Sequence, residues 1–114
     1  MNTISIAKDF SPRTGARFIR LGPYSGEAFQ KLLLERLAKA TNNDPLYVYV
    51  DGENGYFSSF LEEAFGGLVR LKRISPTELQ QKLIIKADCR ANEPYAKQAK
   101  QYFDEAIERL QHKA

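Results

Sequence analysis

Two hydrophobic periods alternate along the chain. Thr3–Ala7 alternates weakly and predicts a short strand. Ser11-Pro12-Arg13-Thr14-Gly15 is a turn cluster, and Arg17–Leu21 then resumes the alternation, so the two segments together predict a β-hairpin. After Gly22-Pro23-Tyr24, the positions Phe29, Leu32, Leu33 and Leu37 recur at helical spacing, with Ser25 placed as cap and Glu27 in the electropositive first turn. Thr41–Pro45 stops that helix. Leu46–Val50 follows, apolar on both faces, and suits the middle of a sheet covered by helices on at least one side. A second helix opens near Ser58-Ser59, where Ser59 and Glu62 have capping-box spacing. Its apolar stripe is Phe60, Leu61, Ala64, Phe65, Leu68 and Val69. Gly66 and Gly67 inside it point to close backbone packing or a kink, because glycine there costs about 1 kcal/mol relative to alanine.

Ser75-Pro76-Thr77-Glu78 is a further helix start, reaching to about Gln81. Leu83-Ile84-Ile85 predicts a strand to Ala87. A final helix from about Glu93 to Gln111 carries the cleanest stripe, with Tyr95, Ala99, Tyr102, Phe103, Ala106, Ile107 and Leu110. The order β-β-α-β-α-α-β-α implies an α/β fold, a mixed central sheet of about four strands with helices packed on it and right-handed crossovers.

Composition narrows the class. At 114 residues with 43% hydrophobic and 27% charged positions, the chain is expected to form one domain over residues 1–114. No apolar run approaches the roughly 18 residues a membrane span needs, and MNTISIAKDF lacks the basic-then-apolar signal pattern. A lone Cys89 fits a reducing compartment, so a cytoplasmic location is expected. The net charge of +3 is local: residues 70–90 carry +4 through Arg70, Lys72, Arg73, Lys82, Lys86 and Arg90 against Glu78 and Asp88. Without interleaved stacking aromatics, that patch argues for a helix terminus rather than for nucleic acid.

The usual catalytic parts are missing. His112 is the single histidine and sits at the chain end, which leaves no triad base or histidine metal ligand inside the fold. Cys89 has no second cysteine nearby. Neither GxxxxGK[ST] nor GxGxxG occurs. Asp51, Glu53, Glu62 and Glu63 cluster in sequence, but Glu62 has the spacing of a cap. The expectation is a non-enzyme without cofactor or metal.

The segment Asp51–Val69, DGENGYFSSFLEEAFGGLV, resembles the signature of a bacterial STAS-like family of uncharacterised proteins, and ISIAKDFSPRTGARF and GPYSGEAF resemble its other landmarks. Its wider relatives are the STAS domains of anti-sigma factor antagonists, whose element order matches the one read above. The resemblance implies a regulatory domain that docks on a histidine-kinase-like (GHKL) ATPase acting as a serine kinase and is released by phosphorylation of the helix-opening serine. By position that serine is Ser58 or Ser59. Phe57 and Phe60 stand where the antagonists have aspartate and glycine. The expected contact surface is the loop from Gly52 through Gly55 to Tyr56 and Phe57, continued by Ser58 and Ser59, with Phe60 as a third aromatic. An alternative reading is a nucleotide- or small-ligand-binding module using Arg17 and Arg20 with the 70–90 patch. Another is a structural homo-oligomer formed through the exposed hairpin edge.

Overall fold

A computed structural model describes residues 2–52 and 56–112, apart from the side chains of Leu21 and His112. Three short strands, β1 (Asn2–Ser5), β2 (Leu46–Tyr49) and β3 (Leu83–Lys86), pair in parallel in the order β1-β2-β3. The register sets Ile4 beside Val48 and Val48 beside Ile85. Helix α1 (Gly26–Leu37) connects β1 to β2. Between β2 and β3 come α2 (Ser58–Leu61), α3 (Gly67–Arg70) and α4 (Pro76–Lys82), and α5 (Glu93–His112) closes the chain.

The expected mixed sheet of about four strands is corrected to a parallel sheet of three. The predicted hairpin does not form, because its second segment has other backbone work. The carbonyls of Ala16 and Arg17 accept the N–H groups of Gly26 (2.9 Å) and Glu27 (2.8 Å), and the N–H of Ile19 donates to the Glu27 carboxylate at 2.8 Å. Residues 16–19 thus satisfy the free donors at the start of α1 and cannot supply a strand ladder. Ile19 is 41% exposed, so the alternation there marks no buried face. The first strand is shorter than expected, since Ile6–Phe10 close one π turn through Ser11 N–H to the Ile6 carbonyl, 2.7 Å.

Period two sorts the sheet residues between two faces. Ile4, Leu46, Val48 and Leu83 are buried beneath the helices; Thr3, Ser5, Tyr47, Tyr49, Ile84 and Lys86 occupy the opposite face, and none is buried. On that open face the Lys86 ammonium lies 5.2 Å from the Tyr47 ring centre. The +4 segment is dispersed rather than concentrated: Lys86 lies on the open face, Lys82 pairs with Glu78 at 3.2 Å, and Arg70 pairs with Glu62 at 2.6 Å.

Under the helices, Phe29, Phe60 and Phe65 are fully buried, and the Phe29 ring contacts the other two, 6.1 Å from Phe60 and 6.2 Å from Phe65. Removing one such ring typically costs about 3–5 kcal/mol. Ser25 and Ser75 cap α1 and α4 as expected, accepting from Ala28 N–H (3.1 Å) and Glu78 N–H (3.2 Å). Segments α2 and α3 run on through a π turn, Glu62–Gly66, with helical backbone throughout. The paired glycines are covered by side chains rather than by a neighbouring backbone. A Cβ on Gly67 would meet the Gln30 amide of α1, and one on Gly66 would come within 2.5 Å of the Glu62 carboxylate.

Gly26 is the tightest junction between α1 and α2: a Cβ there would lie 2.5 Å from the backbone carbonyl of Phe60, which cannot swing aside as a side chain would. Gly26→Ala is therefore expected to destabilise the domain by about 1–3 kcal/mol. Urea unfolding checks this, and an unchanged midpoint would contradict the close packing.

Candidate functional site

The N-termini of α1 and α2 meet at the end of the molecule where the parallel strands finish. Parallel α/β sheets generally place their working surface at that end. β2 leads through Val50 and Asp51 to Gly52, whose φ of +88° is a conformation that favours glycine. The Asp51 carboxylate accepts the N–H groups of Asp88 (2.9 Å) and Cys89 (2.6 Å), clasping the loop after β3 to the loop after β2. Asp51 therefore serves backbone donors, while Glu62 and Glu63 turn to arginines. Glu53 and Gly55 lie outside the described residues, as does Asn54 between them.

The expected contact aromatics divide. Tyr56 is buried, donates its hydroxyl to the Val50 carbonyl at 2.9 Å, and packs on Phe60 and Tyr95 with ring centres 5.9 and 5.2 Å away. Phe60 is fully buried. Phe57, by contrast, is 67% exposed. Immediately after it Ser58 is exposed and Ser59 half-buried.

The Ser59–Glu62 capping box is not formed. Phe57 occupies the N-cap position without a side-chain cap, and its carbonyl accepts the N–H groups of Phe60 (3.0 Å) and Leu61 (3.3 Å). Both serines lie inside the first turn, past the position from which a hydroxyl can cap. Glu62 meanwhile accepts from Arg17 at 2.6 Å and from both terminal nitrogens of Arg70, at 2.6 and 2.8 Å. Glu63 takes Arg17 at 3.0 Å and its carbonyl accepts from the Gln30 side chain at 2.9 Å. The pull of Arg70, reinforced by Arg17, outweighs burial and holds the Glu62 carboxyl down at about 2. Both guanidinium groups are in turn held above their ordinary value, chiefly by their hydrogen bonds to Glu62.

Arg17 is thus engaged with carboxylates, and exposed Arg20 lies over the Phe18 ring at 5.3 Å. A cleft of about 750 Å³ opens beside the same strand ends, lined by Asp9, Asp51 and Asp88 against Lys8 alone. That charge balance disfavours a nucleotide. Among the described residues no group of His, Cys, Asp and Glu side chains is arranged to hold a metal ion, and no helix is long and apolar enough to cross a membrane.

Tyr24 joins this end of the molecule without having been singled out in the sequence. It is 49% exposed, and its ring meets Phe10 edge-on at 5.8 Å, while Phe10 lies 6.3 Å from Phe60. The available signal was an aromatic residue in the Gly22-Pro23-Tyr24 turn just before a helix start.

Residues 25–88 match the family described as STAS-like domain of unknown function (DUF4325). The match spans more than half of the chain, from the cap of α1 to the loop after β3, and the chain belongs to this family. No curated protein and no solved structure matches it.

Because the Glu62 carboxyl is held below its ordinary 4.5, its contribution to stability is complete above that pH and fades as the pH falls towards about 2. Glu62→Gln is expected to cost about 1–3 kcal/mol near neutrality, in the range of hydrogen bonds to charged groups. The gap from the parent protein should close across that acid window. Thermal unfolding of both proteins from neutral to acid pH reads it, and a gap of constant size would exclude the ion cluster as its origin.

Proposed function

We propose that this STAS-like domain is a non-catalytic regulatory module that docks a protein partner through the corner formed by Phe57 and Ser58. The partner is a GHKL-type ATPase acting as a serine kinase, and phosphorylation of Ser58 ends the association. The observation that carries this reading is the exposed Phe57 ring beside an exposed serine on a helix start that no side chain caps. An aromatic ring 67% open to water is a ready anchor, since aromatics supply a disproportionate share of interface energy. Tyr24 extends the apolar area at the same end.

Ser58 suits the switch better than Ser59 because its side chain is exposed and has no capping role. Transfer would move the γ-phosphoryl group of ATP to the Ser58 oxygen, with ADP leaving and the hydroxyl proton released. The product dianion would face the free N–H groups and positive dipole end of a helix, so the modified domain should stay folded. In an interface built around Phe57 the same dianion would have to be desolvated, which weakens docking.

The experiment incubates the domain with a GHKL-type ATPase from the same genome and magnesium ATP, then measures intact mass and capture. One phosphate should be gained, and lost in Ser58→Ala. Phe57→Ala should weaken capture at least tenfold, about 1.4 kcal/mol. No gain of mass, or a gain that survives Ser58→Ala combined with Ser59→Ala, would falsify the phosphorylation switch. Unchanged capture by Phe57→Ala would remove the proposed anchor.

A further inference from the structure

β3 forms one edge of the sheet. The N–H of Val50 donates to the Lys86 carbonyl at 3.1 Å, so the backbone groups of Ile84 and Lys86 face β2. Those of Leu83, Ile85 and Ala87 consequently face away from the sheet. The Leu83 N–H is taken by the Leu79 carbonyl at the end of α4. That leaves the Leu83 carbonyl and both backbone groups of Ile85 and of Ala87 without backbone partners among the described residues. Alongside them runs a groove of about 390 Å³ between β3 and α5, lined by Leu83, Ile85 and Phe103 and rimmed by Lys100 and Asp104.

We propose that this edge pairs with β3 of a second copy of the chain, antiparallel about a twofold axis through Ile85. In that register the two Ile85 residues exchange both backbone hydrogen bonds, and each Ala87 N–H donates to the Leu83 carbonyl of the other copy. Four hydrogen bonds form, and they use the Leu83 carbonyl, both backbone groups of Ile85 and the Ala87 N–H. Leu83 already spends its N–H on α4, so the Ala87 carbonyl, its acceptor in a regular ladder, stays outside the pairing.

The charges fit the same axis. On the groove rim, Lys100 and Asp104 form a loose 3.8 Å pair within α5, and both are more than half exposed. A twofold axis sets α5 antiparallel to its copy and directs each Lys100 towards the opposite Asp104. An isologous interface requires such self-complementarity, whereas an unrelated extended peptide does not. This pairing is distinct from the Phe57 corner and does not rest on it.

Sedimentation equilibrium across a concentration series, with amide hydrogen exchange at each concentration, tests the pairing. A concentration-dependent dimer is expected, with exchange at Ile85 and Ala87 slowed as the dimer fills. Ile85→Pro deletes an N–H that the monomer does not use, a position where an edge strand tolerates proline. It should raise the dimer dissociation constant at least about tenfold. Should that variant fold poorly, Lys100→Glu supplies the same test from an exposed site: it should weaken the dimer, and Lys100→Glu combined with Asp104→Lys should restore it. A chain monomeric at every concentration overturns the proposal. So does a dimer in which the Ile85 amide exchanges as fast as in the monomer.

Discussion

The approach of Gly26 to the backbone of Phe60 governs the arrangement of this domain. Only a residue without Cβ lets the start of α1 lie against the start of α2, and that contact stacks Phe29 on Phe60 and brings Gln30 to Glu63. The further glycines at 66 and 67 continue the approach along the second helix, at the end of the π turn. Glu62 and Glu63 fold back over that turn into the space that side chains would have filled. Pairing of both carboxylates with Arg17 follows from this geometry.

The ion cluster is worth more than isolated surface pairs, which typically contribute 0–1 kcal/mol. Glu62 is gripped by two guanidinium groups, one of them through two nitrogens, and its side chain is only 21% exposed. Holding Arg17 in this cluster also fixes residues 16 and 17 as acceptors for the start of α1. One set of charges thus helps explain why the segment before α1 is not a strand.

Much of this was legible in the sequence. The stripes on α1 and α5, the caps at Ser25 and Ser75 and the strand at Leu46 were readable because each is specified by local spacing. The hairpin was not, because the demand that residues 16–19 answer comes from α1 and from Glu62 and Glu63, about 45 residues further along. The capping box at Ser59 failed for a related reason: cap spacing cannot reveal that Arg70 and the distant Arg17 take the Glu62 carboxylate instead. At the candidate site, the position of the helix-opening serines was readable, but the opposite fates of Tyr56 and Phe57 were not. Adjacent aromatics are sorted by which one reaches the Val50 carbonyl and the Phe60 ring.

The clasp made by Asp51 gives the single thiol a useful address. Cys89 is exposed, yet its backbone N–H is held by the residue that begins the passage from β2 towards Phe57. A fluorophore or spin label attached there would sit at one unambiguous position and ride on the loop pair at the working end of the sheet. Rearrangement of the strand-end loops would then be visible as a spectroscopic signal from a chain that needs no engineered cysteine.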